Sequence, residues 1–305
     1  MNGALIIDKP AGLTSHDVVN RVRRILDERS VGHLGTLDPM ATGVLPLVTG
    51  NFTRLAQFYV SSEKVYEGAI RFGFSTDTFD ADGDPTSSLK PVALQREQLE
   101  SVAAKFRGVI TQTPPPFSAK KIKGVRAYKL ARQQQEVVLQ PVQVEIKEFQ
   151  ILSCEADRAT FHARVASGTY MRSVAHDMGQ LLACGAHLES LRRTAVAEFT
   201  LADAHTLEEL AAAAGKCEMR HAPELDTCFI HPRKLLPNFP CVTTDEPTAA
   251  RIRTGRAVNL PELSRTRQVK VFTGQRDLIA IATRVAGTLF HPKIVLSAID
   301  VPSGR

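Results

Sequence analysis

Three segments of the chain alternate apolar and polar residues with a period of two. Tyr66, Gly68, Ile70 and Phe72 interleave with Glu67 and Arg71; Val142, Val144 and Ile146 make a second run; Phe161, Ala163 and Val165 make a third. That period belongs to strands with one buried face. Helical periods lie before, between and after them. Val18, Val19, Val22, Ile25 and Leu26 form one apolar face opposite Arg21, Arg23 and Arg24, and Thr14 or Ser15 can cap it. Leu94 to Phe106, Tyr128 to Gln135, Val174 to Cys184 and Leu207 to Ala214 also read as helices, and Asn51 to Tyr59 as a short one. Ala4 to Ile7 is a strand entering a turn at Pro10-Ala11-Gly12. Gly32 to Gly50, with four glycines and two prolines, reads mostly as loop. Pro232, Pro237 and Pro240 mark a linker, and Val269 to Phe272 and Leu278 to Ala282 predict a small C-terminal β unit.

Charge is unevenly spread over the 305 residues, whose net is +6. Ser101 to Gln135 holds eight Lys or Arg and no Asp or Glu; Arg251 to Arg305 holds ten basic and three acidic residues. The remainder is therefore net acidic. Hydrophobic residues at 43% and charged residues at 23% exclude a disordered tail, a collagen-like fibre and a small disulfide scaffold. No apolar run approaches the ~20 residues of a membrane helix, and the N-terminus lacks the pattern of a signal peptide. Five widely spaced cysteines without a C-x-x-C pair predict no disulfide framework, so a reducing cytoplasm is expected. Cys217, His221, Cys228 and His231 have zinc-ligand chemistry, but knuckle glycines are missing and Pro223 and Pro232 intrude, so unrelated side chains are the expectation.

Two short segments concentrate reactive residue types. Between Glu28 and Glu63 the only carboxylate is Asp38, in a glycine-rich segment with His33 five residues upstream. Ser167-Gly168-Thr169-Tyr170-Met171-Arg172 opens a helix with an arginine, which the macrodipole disfavours, so it either has a carboxylate or phosphate partner or is solvated. The basic run around Lys120, Lys121, Lys123 and Arg126 is interleaved with Phe117 and Tyr128, the pairing that nucleic-acid grooves use. Asp80, Asp82 and Asp84 are spaced like a calcium loop, but Pro85 stands where glycine belongs, and an acidic surface turn is expected instead. Neither a P-loop nor a G-x-S-x-G elbow is present.

In order, Lys9-Pro-Ala-Gly-Leu-Thr-Ser15, Gly32-His-Leu-Gly-Thr-Leu-Asp38-Pro-Met-Ala-Thr-Gly-Val-Leu45, Lys64-Val-Tyr66-Glu-Gly68, Thr76-Asp-Thr-Phe-Asp-Ala-Asp-Gly83, Pro114-Pro-Pro-Phe117-Ser-Ala-Lys120, Ser167-Gly-Thr-Tyr170-Met-Arg172-Ser173 and Leu191-Arg-Arg-Thr194 resemble the TruB family of tRNA pseudouridine synthases. The resemblance runs from Leu5 to about Phe199 and more weakly beyond. It implies an α+β pseudouridine-synthase fold with a mixed, mostly antiparallel central sheet and a small PUA-like C-terminal β domain. Residues 1–240 would form the catalytic domain, with a thumb-like RNA-binding insertion near 107–140, and residues 241–305 the appended domain. The implied reaction detaches a T-loop uracil of tRNA, conventionally at position 55, from C1′ and rejoins it through C5, without cofactor or metal. Asp38 would be the nucleophile; an aspartate, ordinarily ionised at neutral pH, needs no separate base. Arg172 would pair with it, Tyr66 would stack on the target ring, and His33, Tyr170 and Leu191 would contact the flipped nucleotide. Lys120, Lys121, Lys123 and Arg126 would grip the T-arm. The resemblance further implies a cytoplasmic monomer. A non-catalytic RNA-binding or tRNA-folding chaperone is the alternative, against which Asp38, Tyr66 and Arg172 stand. Ala197, where the family often has glycine, and Gln133-Gln134-Gln135, where a helix-ending glycine is common, depart from the pattern.

Overall fold

The computed structural model describes residues 1–117, 121–122, 125–126, 139–215 and 223–296, with backbone alone at 121–122, 125–126 and 223. In chain order the elements are β1 (Gly3–Lys9), α1 (Ser15–Leu26), β2 (Val31–His33), β3 (Thr42–Thr49), a 3-10 helix (Gly50–Phe58), β4 (Lys64–Phe72), α2 (Arg96–Ala104), β5 (Gly108–Gln112), β6 (Lys121–Ile122), β7 (Val125–Arg126), β8 (Val142–Glu155), β9 (Arg158–Val165), α3 (Met171–Leu181), β10 (Ala186–Val196), β11 (Phe199–Thr200), β12 (Ala204–His205), α4 (Leu207–Gly215), α5 (Pro223–Thr227), β13 (Cys241–Thr243), α6 (Glu246–Arg253), β14 (Val258–Asn259), β15 (Gln268–Thr273), β16 (Asp277–Ala286) and β17 (Leu289–Val295). Among the described residues one sheet has ten strands, with the order β12-β1-β3-β10-β4-β9-β8-β5 and with β11 and β2 as side branches. Its pairs are antiparallel except β1 with β12 and β10 with β3. β13 to β17 form a separate five-stranded sheet.

The large sheet is buried on both faces at β1 and β3. Leu5 and Ile7 of β1 and Leu45 and Leu47 of β3 join a core with α1, α2, α3 and α4. Ala4, Ile6, Val44 and Val48, pointing the other way, join a second core with Phe52 and Leu55 of the 3-10 helix and with Phe272, Ile281 and Ile294 of the small sheet. Double burial explains one difference from the sequence reading. Residues 32–50 are not mostly loop: most of β2 and all of β3 lie inside them. A strand covered on both faces reads as a continuous apolar run without alternation, and Pro46 within it resembled a breaker. Pro46 lies opposite Ile6, and its carbonyl accepts from the Leu34 amide at 2.9 Å.

β3 and β10 touch so closely that a β-carbon on Gly43 would lie 2.2 Å from the Arg193 carbonyl oxygen, and Gly43 has φ +102. Only glycine fits there. The predicted helix at 128–135 lies outside the described residues, as do Cys217 and His221 of the zinc-like pattern. No helix among the described residues is long and apolar enough to cross a membrane.

Candidate active site

β4 and β10 run antiparallel at the middle of the sheet, with Tyr66 opposite Arg193 and Gly68 opposite Leu191. β9 flanks β4 on its other side, with Lys64 opposite Val165 and Tyr66 opposite Ala163. Lys64, Tyr66, Leu191 and Arg193 therefore share one sheet face. Tyr66 is 7% exposed and Leu191 equally buried.

The segment carrying Asp38 crosses this face, and its backbone is held residue by residue. Arg193, wholly buried, donates from Nη2 to the Gly35 carbonyl at 3.0 Å, from Nη1 to that of Thr36 at 3.1 Å and from Nε to that of Val44 at 2.8 Å. Ser15, in the first turn of α1, accepts from the Leu37 amide at 2.8 Å and donates to its carbonyl at 3.0 Å. A capping box between Thr14 and Asp17 fixes that turn. Lys9, also wholly buried, donates to the carbonyls of Pro10, Leu13 and Pro39 at 2.8, 2.6 and 3.1 Å. Burial lowers the pKa of Lys9 to about 8 against the attraction of Asp38. The Asp38 side chain itself is 32% exposed, so a pinned backbone presents an accessible carboxylate.

Arg172 answers that carboxylate. It occupies the second position of α3 and its side chain is 5% exposed. Its Nε lies 2.9 Å from Asp38 Oδ2, and Nη2 donates to Asp38 Oδ1 at 3.1 Å. Nη1 donates to the Thr78 carbonyl at 3.1 Å, and Nη2 also to that of Phe117 at 2.9 Å. The start of α3 is set from β5: the Gln112 amide group accepts from the Tyr170 amide at 2.9 Å and donates to the Tyr170 carbonyl at 3.1 Å. Gln112 is 1% exposed.

A second carboxylate sits on the same guanidinium, 3.5 Å from Asp80 Oδ2 to Arg172 Nη1. The acidic surface turn expected at Asp80 is thereby corrected: Asp80 is 4% exposed, while Asp82 and Asp84 are exposed. Burial raises the Asp80 pKa, the Thr78 hydroxyl and Arg172 oppose that rise, and the Asp38 charge adds to it. Phe79 turns the loop inward. It adopts φ 65, and its ring stacks on His176 with centroids 3.8 Å apart and planes 15° apart. His176 lies one helical turn beyond Arg172, so α3 holds this loop at two points. The sequence carried a signal for this, an aromatic residue inside an otherwise polar turn.

The other expected residues divide into two groups. His33 ends β2 and accepts the Gly35 amide at Nδ1, 3.3 Å away. Tyr170 precedes α3 and is half-buried. Asp38, Tyr66, His33, Tyr170, Arg172 and Leu191 thus come from β4, β10, the start of α3 and the pinned segment between β2 and β3. Lys120 and Lys123 lie outside the described residues; Lys121 and Arg126 are described as backbone only, paired in the β6–β7 hairpin.

Residues 23–171 match the TruB family pseudouridylate synthase N-terminal domain, and residues 172–232 match the tRNA pseudouridylate synthase B C-terminal domain. The chain is 50% identical over 299 residues to the tRNA pseudouridine synthase B of Solibacter usitatus (strain Ellin6076), covering 97% of this chain and all of that one. It is 46% identical over 211 residues to the protein of that name from Aquifex aeolicus (strain VF5), covering 68% and 73%. Among solved structures, a chain of an H/ACA RNP bound to a substrate RNA containing 2′-deoxyuridine superposes with a TM-score of 0.71 at 23% identity, covering 98% of this chain and 86% of that chain. A chain of a Cbf5-Nop10-Gar1 complex gives 0.71 at 25% identity, covering 97% and 85%. The fold is the pseudouridine-synthase fold, and the chain belongs to the TruB family of pseudouridylate synthases.

Proposed function

We propose that this chain converts uridine to pseudouridine at position 55 in the T loop of tRNA, with Asp38 as nucleophile. The reaction is an isomerisation: the N1–C1′ bond breaks, a C5–C1′ bond forms, C5 loses a proton and N1 gains one. It therefore needs no net oxidant, reductant or group donor. The supporting observation is the accessible Asp38 carboxylate held by a buried arginine on a backbone whose carbonyls are tied down from Gly35 to Pro39. Such preorganisation spares the site from reorganising as charge shifts during the reaction.

In this reading Tyr66 stacks against the target ring, Leu191 and Tyr170 wall the uracil, and His33 meets the flipped nucleotide. Arg172 orients the Asp38 carboxylate, and Asp80 braces Arg172. Flipping a base costs a few kcal/mol, offset by stacking and phosphate contacts. The basic thumb near 107–140 supplies such contacts, with Lys120, Lys121, Lys123 and Arg126 on the T-arm. Residues 1–240 act as the catalytic domain and 241–305 as a PUA-like RNA-binding domain, in a monomer that works in the cytoplasm.

Pseudouridine mapping in an unmodified tRNA transcript tests the reading. Asp38→Asn is expected to abolish product while tRNA binding stays within about threefold, because the neutral amide is isosteric but not nucleophilic. Turnover retained by the purified variant would remove Asp38 from this role.

A further inference from the structure

Three cations converge behind the Asp38 segment, and among the described residues one of them keeps spare donors. Lys9 spends its ammonium on three carbonyls, and Arg193 spends Nε and both terminal nitrogens on three more. Among the described residues Lys64 makes a single hydrogen bond, to the Ser62 carbonyl at 2.7 Å. Among the described residues no carboxylate lies within ion-pairing distance of it. It is nevertheless half-buried. A β-carbon built on Gly35 would lie 3.8 Å from Lys64 Cε and 3.7 Å from Arg193 Nη1, so the two cations flank the same glycine of the catalytic segment.

An ammonium with spare donors, partly stripped of water and facing a guanidinium, is costly unless an anion joins it. Burial and the Arg193 charge already lower the pKa of Lys64 to about 8. Asp38 does not fill the vacancy, because its carboxylate is engaged by Arg172. The position of Lys64 indicates which anion does. It stands one pleat from Tyr66 on the same sheet face, roughly 7 Å along β4. A nucleotide whose ring lies on Tyr66 and whose C1′ faces Asp38 must carry its backbone past the rim of this face, and every nucleotide brings a phosphodiester.

We infer that Lys64 binds a phosphodiester flanking the flipped uridine, holding the nucleotide's backbone while Tyr66 holds its ring. This rests on the functional reading above. The contact is a charge-assisted hydrogen bond made to the bound substrate, so it acts on binding more than on the chemical step.

The test combines Lys64 variants with T-arm RNAs that carry one uncharged methylphosphonate linkage, on either the 5′ or the 3′ side of the target uridine. With unmodified RNA, Lys64→Met should raise KM about 10- to 100-fold, leave kcat within about threefold, and reduce the log–log salt slope of binding by about 0.7. Lys64→Arg should restore most of the affinity. One methylphosphonate should lower wild-type kcat/KM to the level of Lys64→Met and leave Lys64→Met no worse. Equal KM for wild type and Lys64→Met, or methylphosphonate penalties that add in full to the variant at both linkages, would overturn the proposal. If the wild-type protein forms no pseudouridine in unmodified RNA, the functional reading fails and takes this proposal with it. The loss caused by each methylphosphonate in wild-type protein does not depend on how the variants fold, and the charge-keeping Lys64→Arg separates loss of the contact from loss of the fold.

Discussion

At the scale of single residues, the least visible site group was Asp80. Its neighbours Asp82 and Asp84 are solvated, and nothing in their spacing separates the three. What distinguishes Asp80 is Arg172, which lies 92 positions away and meets it only through the fold. Asp38 and Arg172 are legible in the sequence, because an isolated carboxylate in a glycine-rich segment and an arginine at a helix start are each anomalous in their own surroundings. Ala197 is a different kind of anomaly. It turns the chain between β10 and β11 with φ 50, where an L side chain is strained and glycine is not. Ala197→Gly is accordingly expected to stabilise the protein by about 0.5–1 kcal/mol without changing kcat. Urea unfolding of the two proteins checks this, and an unchanged midpoint would show that the turn relaxes around the methyl group.

Among elements, α3 combines the most functions. Its first turn carries Arg172, its second carries His176 against Phe79, and Asp177 beside them faces the groove lined by Lys105, Phe106, Ile110 and Leu181. Burial pushes the Asp177 carboxyl up to about 6 from 3.8. Between those pH values the folded state holds a proton that the unfolded chain releases. Stability therefore falls as pH rises from about 4 to about 6, and the loss persists at neutral pH. Asp177→Asn should gain about 1–2 kcal/mol at pH 7.5, after allowance for partial exposure, and flatten that dependence. Unfolding curves at pH 5 and 7.5 measure it; parallel pH dependence in both proteins would mean that the carboxylate is solvated. The period of α3 was legible from Val174 and Met178. Its anchoring was not, because Gln112, which fixes its first turn, is a polar residue on a distant strand.

For the whole molecule, the small sheet is packed onto the large one. Phe272, Leu278, Ile281, Ile294 and Leu296 share a core with Val44, Val48, Phe52 and Leu55. Ile281→Ala should cost about 2–5 kcal/mol and lower one common unfolding transition, seen alike by calorimetry and by a probe in the large sheet. An early transition confined to residues 241–296 would contradict this coupling. The sequence by itself determined the alternating strands, the amphipathic helices, the basic segments and the ordered motifs that resemble the TruB family, because each is written in local period, composition or spacing. The tertiary structure alone decided that residues 42–49 form a strand buried on both faces, that Arg172 holds two carboxylates, and that Lys9, Ser15 and Arg193 fasten the Asp38 backbone. These are meetings between distant segments. Hydrogen bonds from side chains to backbone carbonyls leave no mark on local residue patterns, since every residue offers a carbonyl and only the fold selects which one is reached.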